Sequence, residues 1–231
     1  MEDVSIHERQ PVAQIVLDHP ECASVFRQHR IDYCCRGEQS LDEACRQREV
    51  GVGEVMEELK RAIATRRPVS RPDDPRLLDT EALIERIVRR HHGFLREALP
   101  FLVPLAKKVA RVHGAHNAHL LDVHGYIEEL SDLLLPHLDR EEEVLFPALL
   151  GHQGAGGVET IASEVASLHE DHLQVAELLE RLRNAAHDFT VPEWACTSYT
   201  TLMRELSAVE ADVFAHVHLE NHVLLPRYAR G

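Results

Sequence analysis

Two stretches decide the reading of this chain: "HLDREEEVLFP", His137 to Pro147, and "HVHLENHVLLP", His216 to Pro226. Each has a His, a Glu four residues later, then Val, Leu and a closing Pro, at a constant offset of 79 residues. A His and a Glu four apart stand one turn apart on the same helix face. His137 and Glu141 continue an apolar stripe through Leu130, Leu134, Leu145 and Ala148; His216 and Glu220 continue one through Val209, Val213 and Val223. A carboxylate on a core-facing stripe is costly unless it is paired or bound to metal.

Working outward, two further histidines stand on apolar stripes. His92 continues Val88, Leu95 and Leu99, and His172 continues Val165, Leu168 and Leu179. His92 precedes His137 by 45 residues, and His172 precedes His216 by 44. The unit is therefore a helix with a lone His followed by a helix with His-x-x-x-Glu, written twice. A metal pair between two halves takes one ligand set from each. Four imidazoles and two carboxylates suit iron, manganese or zinc, and two carboxylates can bridge a metal pair. The expected ligands are His92, His137, Glu141, His172, His216 and Glu220. Periodicity alone does not separate His92 from His91, or His172 from His169; the matched repeat spacing favours the first of each. His218 and His222 lie off the stripe and read as solvated. His113, His116, His119 and His124 read as surface residues, and Glu142 and Glu143 as a solvated face.

The surrounding pattern is all-α. Four long amphipathic runs, from Thr80, from His119 to Leu150, from Val158 to His187, and after "TVPE" (Thr190 to Glu193, a capping box with Pro inside the first turn), predict an up-down-up-down four-helix bundle. Pro100 is expected to kink or end the first run. The Gly-rich "GHQGAGG" separates the second run from the third. Residues 1–66 read as a small helical domain. "SLDE", Ser40 to Glu43, is a capping box there, and Gly37 in the "DYCCRGEQS" loop suggests a turn conformation. Residues 67–79, with Pro68, Pro72 and Pro75, read as a linker, and 80–231 as the bundle.

Composition narrows the function. The formal charge of −14 argues against nucleic acid or an anionic membrane surface as partner. No apolar run approaches the roughly 18 residues of a membrane span, and the start carries no secretory pattern. Five cysteines fit neither a disulfide framework nor a zinc finger, so reduced thiols and a cytoplasmic location are expected. Cys22, Cys45 and Cys196 read as packing residues. Cys34 and Cys35 are adjacent, with Cα atoms about 3.8 Å apart, too close for a comfortable mutual disulfide. They could accept iron or nitrosyl-iron, or pair with another chain as a homodimer.

The bundle with two His-x-x-x-Glu-x-x-Val-Leu-x-Pro stretches resembles the hemerythrin-like fold, and "DYCC", Asp32 to Cys35, followed by "GEQSL", resembles the ScdA-type N-terminal domain. Together they resemble the Repair of Iron Centers family, of the YtfE and ScdA type. The resemblance implies two non-haem irons held by His92, His137, His172 and His216, with Glu141 and Glu220 as bridges. It further implies repair of iron–sulfur clusters damaged by nitrosative or oxidative stress, by iron donation or nitric oxide reduction. Damaged iron–sulfur proteins and nitric oxide or O2 would be the partners. Tyr33, Cys34 and Cys35 would mediate transfer. Arg36 departs from the family's common "CCGG". The other reading is a redox or gas sensor whose metal state alters the contact between the two domains.

Overall fold

The computed structural model describes residues 6–65, 74–151 and 158–228, the side chains of 158–160 excepted. The described residues are helical and contain no strand, only an isolated bridge between Pro11 and Ser40. Two compact units are distinguished: Met1–Leu77 with Val217–Arg227, and Leu78–His216 with Tyr228–Gly231.

The first unit holds four helices: α1 (Val12–Asp18), α2 (Cys22–Gln28), α3 (Leu41–Gln47) and α4 (Val52–Thr65). Three of the four are too short to persist alone. They are fixed by burying Val12, Ile15, Phe26, Leu41, Val55 and Leu59, each fully enclosed. The expected capping box starts α3: Ser40 and Glu43 satisfy each other's backbone donors. The Pro68 and Pro72 part of the expected linker lies outside the described residues; Pro75 opens a short 3-10 turn, Pro75–Leu77. Gly37 lies in a turn, as expected: the Gln39 amide donates to the Arg36 carbonyl at 3.2 Å. Its φ is not positive, so glycine is needed there for close approach. A Cβ there would lie 2.5 Å from Ala13 Cβ and from the Tyr33 carbonyl oxygen, and 2.6 Å from His222 Nε2.

The second unit is built from α5 (Thr80–Ile87), α6 (Gly93–His113), α7 (His119–Arg140), α8 (Phe146–Leu149), α9 (Val158–Ala185) and α10 (Thr197–Leu219) as far as His216. Asp79 caps α5 by accepting from the Ala82 amide at 2.8 Å. α6 packs on α7, and α7 on α9. The core is a set of stripes at helical spacing: Leu95, Leu99 and Leu102 on α6; Val123, Ile127, Leu130 and Leu134 on α7; Leu168, Val175 and Leu182 on α9; Leu202, Leu206, Val209 and Val213 on α10.

Two expectations about breaks are corrected. Of the two outcomes expected of Pro100, a kink or an end, the second does not occur; α6 runs through both Pro100 and Pro104. Both prolines are exposed. "TVPE" does not open the last helix either. Pro192 sits in a turn whose carbonyl accepts from Ala195, and α10 begins at Thr197. In the "GHQGAGG" stretch only Gly151 is described.

Three π-helical turns interrupt the α-helical runs, at Val88–His92, Glu141–Leu145 and Glu220–Leu224. In each, the amide five residues on bonds the first carbonyl: Gly93 to Val88, Phe146 to Glu141, and Leu225 to Glu220. Pro147 and Pro226 follow the second and third. Without an N–H they cannot re-enter the α-helical ladder at that point, which favours the wider turn. All three turns fall where the sequence places a candidate ligand.

Candidate metal centre

His92, His137, Glu141, His172, His216 and Glu220 occupy the stripe positions where apolar residues would otherwise stand. All are buried, between 0% and 4% exposed. They form two overlapping groups whose ligand atoms lie within 4.8 Å of one another: His92, Glu141, His216 and Glu220, and His137, Glu141, His172 and Glu220. Each group has two imidazoles, and the two carboxylates belong to both.

The histidines pair. The Nε2 atoms of His92 and His216 are 3.1 Å apart, and those of His172 and His137 are 3.2 Å apart. Glu141 faces both pairs with different oxygens. Its Oε1 is 3.3 Å from His137 Nε2, and its Oε2 is 3.4 Å from His92 Nε2 and 3.7 Å from His216 Nε2. Two nitrogens bound to one cation at about 2.0–2.1 Å, with an angle between about 90° and 109°, are separated by about 2.8–3.4 Å. The observed pairs fall in that range. The donor set, nitrogen and oxygen without sulfur, fits iron among the first-row metals.

Further side chains set the orientation of these rings. Glu142 Oε1 accepts from His92 Nδ1 at 2.7 Å and also pairs with Arg96. In a neutral ring this leaves the lone pair of His92 on Nε2, the atom that faces His216. Arg96 is itself held by Asp139 at 2.6 Å. Burial opposes ionisation of Glu142, but the bonds from Arg96 and His92 outweigh it and lower its pKa. On α9, Asp171 accepts from His137 Nδ1 at 3.3 Å and lies 3.5 Å from Arg140, which also binds Glu164. Such carboxylate–imidazole pairs fix the tautomer and ring angle of metal-bound histidines. Glu142 was expected on a solvated face; the repeat gives no sign of its role.

The neighbouring histidines separate cleanly. His91 belongs to neither group. It is buried, bonds Asp212 at 2.9 Å, and stacks on His216 with ring centroids 5.8 Å apart. His169 is exposed. His116 and His119 are exposed as expected, while His113 is half-buried and contacts Cys196 Sγ at 3.2 Å.

His218 and His222 are not solvated, contrary to expectation. They lie within the first unit against the "DYCC" loop. His218 Nδ1 donates to the Tyr33 carbonyl at 3.3 Å, His222 Nε2 to the Cys34 carbonyl at 2.9 Å, and Asn221 to the same carbonyl at 3.1 Å. Burial, reinforced by His222, pushes the pKa of His218 down to about 3 against the opposing bond to Tyr33. Burial lowers that of His222 as well. Cys34 is buried and Cys35 half-buried; they belong with Asp32 and not with either His/Glu group. Cys22 and Cys45 are buried as expected, but Cys196 is exposed and does not serve packing.

Comparison with known proteins agrees with this geometry. Residues 83–228 match the family described as the hemerythrin HHE cation binding domain, and residues 8–63 match ScdA_N, described as a domain of unknown function. The iron–sulfur cluster repair protein ScdA of Staphylococcus haemolyticus is 32% identical over 222 residues, covering 94% of this chain and 97% of the relative. The iron–sulfur cluster repair protein YtfE of Escherichia coli O1:K1 / APEC is 32% identical over 225 residues, covering 96% and 97%. YtfE of Enterobacter sp. (strain 638) matches to the same extent. Full-length similarity at this level, with both domains matched in order, places the chain in the ScdA/YtfE family of hemerythrin-like iron–sulfur cluster repair proteins.

Proposed function

We propose that this protein restores damaged iron–sulfur proteins, and that it does so with a carboxylate-bridged di-iron centre held by His92, His137, Glu141, His172, His216 and Glu220. The observation that carries the reading is the placement of Glu141, whose two oxygens face different histidine pairs. A single-metal site has no use for that arrangement. The relatives' names supply the repair role.

When bound, iron in such a set would supply reversible redox chemistry and coordination positions open to a small ligand such as nitric oxide or O2. The protein's own part is positional and electrostatic. His92 and His216 hold one position, and His137 and His172 the other. Glu142 and Asp171 keep two of the four rings turned inward. His91, stacked on His216 and fixed by Asp212, limits rotation of that ring. Burial keeps bulk water from competing for the inward-facing nitrogens.

Two routes to repair are compatible with the centre: donation of iron to a depleted cluster, or reduction of nitric oxide before it damages one. Cys34 and Cys35 would carry the cargo in the first route. No helix among the described residues is long and apolar enough to cross a membrane, which suits a partner in the aqueous phase. The test is recovery of a nitric-oxide-damaged iron–sulfur enzyme by the anaerobically loaded protein, beside Glu141→Ala and Glu220→Ala. Recovery by wild type and its loss in both variants is expected. Recovery undiminished in both variants would refute the bridging assignment. A metal-dependent conformational response without recovery would favour a sensor.

A further inference from the structure

Asp32, Cys34 and Cys35 form a third group of metal-capable side chains, chemically unlike the other two. The two sulfurs are 3.6 Å apart. That is far outside the S–S bond length of about 2.05 Å, so the thiols are not joined. Asp32 Oδ1 lies 3.2 Å from Cys34 Sγ and accepts the amides of Cys34 and Cys35 at 3.1 and 2.8 Å.

These separations match the edges of a coordination tetrahedron. With metal–sulfur bonds of about 2.3 Å, two sulfurs on a tetrahedral ion stand about 3.8 Å apart. With a metal–oxygen bond of about 2.1 Å, the sulfur–oxygen edge is about 3.6 Å. The observed distances fall short by about 0.2 and 0.4 Å. A cation entering there would need to part these two pairs only slightly; the third, Cys35 Sγ and the Asp32 carboxylate, lies within 4.8 Å.

The backbone carrying the thiols is held from the other side. His218 takes the Tyr33 carbonyl, and Asn221 and His222 take that of Cys34. Gly37 lets the loop close, since a Cβ there would collide with Ala13, the Tyr33 carbonyl and His222. Ligands on a fixed backbone lose little freedom on binding, which is what a weak three-ligand site needs. The half-buried Cys35 and Asp32 leave the group open on one side.

We infer that Asp32, Cys34 and Cys35 make a mononuclear site for a thiophilic divalent cation, through two thiolates and one carboxylate oxygen, with a fourth position left open. On the repair reading, which this identification of the cargo rests on, the ion is ferrous iron in transit to or from a partner protein. Binding releases both thiol protons to solvent, and no electron is transferred. Burial, then the neighbouring Cys35 and Asp32, push the Cys34 thiol well above its usual pKa, so affinity falls as pH is lowered. The site differs in kind from the His/Glu centre: sulfur donors, one ion, and an open coordination position that lets the ion leave.

The test is anaerobic titration of the metal-free, full-length protein with Co2+, read by sulfur-to-cobalt charge transfer in the near ultraviolet and by total cobalt bound. Wild type should show the charge-transfer band at one equivalent per chain, and a separate anaerobic titration with Fe2+ should give a sulfur-to-iron band at the same stoichiometry. Cys34→Ser/Cys35→Ser should lose the band and that equivalent while keeping the cobalt held by the His/Glu centre. Asp32→Asn should keep a normal circular dichroism spectrum and weaken the band's apparent affinity by more than the about 10–100-fold typical of an outer partner. Glu141→Ala/Glu220→Ala should lose the His/Glu cobalt and keep the band, so failure of the di-iron reading would show separately. Absence of the band in wild type, or its survival in the double cysteine variant, would overturn the assignment. Absence of the sulfur-to-iron band on direct Fe2+ titration would overturn the identity of the cargo.

Discussion

Glu142→Ala offers the sharpest probe of how the centre is oriented. Glu142 accepts from His92 Nδ1 at 2.7 Å and is paired with Arg96. A hydrogen bond to a charged group contributes about 1.5–3 kcal/mol, and outer partners of metal-bound histidines typically account for about 10–100-fold in affinity. The two figures agree, since about 1.4 kcal/mol is tenfold. The side chain of Glu142 is 29% exposed, so water partly replaces it, and the lower end, about tenfold, is expected. Asp171 holds His137 over a longer 3.3 Å and shares its charge with Arg140. Asp171→Ala should therefore cost less than Glu142→Ala. Glu142→Gln, which can still accept from Nδ1, should fall between wild type and Glu142→Ala. The assay is competition for Co2+ or Fe2+ against a chelator, with melting temperature as the control for folding. Unchanged affinity in Glu142→Ala, or a larger loss in Asp171→Ala, would refute the orienting role.

Metal-free protein should keep near-normal helix by circular dichroism, because the leucine and valine stripes form the bundle unaided, but should melt at lower temperature. Converging imidazoles and carboxylates are costly to bury without a cation, and an unfolded apo-chain would contradict this. Alkaline pH should destabilise the fold through Cys22 and Cys45, whose thiols burial first, then Glu21 and Asp42 respectively, raise to about 12 and about 11. A raised thiol pKa gives stability that is full below the unfolded value near 9 and is lost as pH climbs toward the folded one, at about 1.4 kcal/mol per pH unit per thiol. Urea melts between pH 8 and pH 10.5 should show this slope, and Cys22→Ala should flatten it. Gly37→Ala should destabilise the first unit by about 1–3 kcal/mol through overpacking against Ala13 and the Tyr33 carbonyl; unchanged urea denaturation would refute the close-approach role.

The stripes and the repeat made the bundle and its buried His/Glu cluster legible, because a core-facing helix position occupied by Glu has few physical explanations. Spacing even favoured His92 over His91, and the structure shows why the adjacent ring differs: it turns onto Asp212. What was hidden depends on partners remote in sequence. His218, Asn221 and His222 serve the backbone of Tyr33 and Cys34, 185 to 188 residues away, and no local pattern announces that. Glu142 looked like one more charge in an acidic run, because its partner His92 lies 50 residues earlier. The π turns were equally silent, although Pro147 and Pro226 were a usable hint. Pro100 misled for a different reason: α6 accommodates it, and Pro104 one turn on, at exposed positions.

The central claim is a di-iron centre bridged by Glu141 and Glu220. Iron content and Mössbauer spectra of anaerobically purified protein test it most directly, with the Cys34→Ser/Cys35→Ser variant used to remove any sulfur-bound iron. That variant should hold two irons per chain, in an exchange-coupled pair with nitrogen and oxygen ligands, and the coupling should vanish in Glu141→Ala/Glu220→Ala. A single iron per chain, or coupling that survives the loss of both carboxylates, would contradict the account.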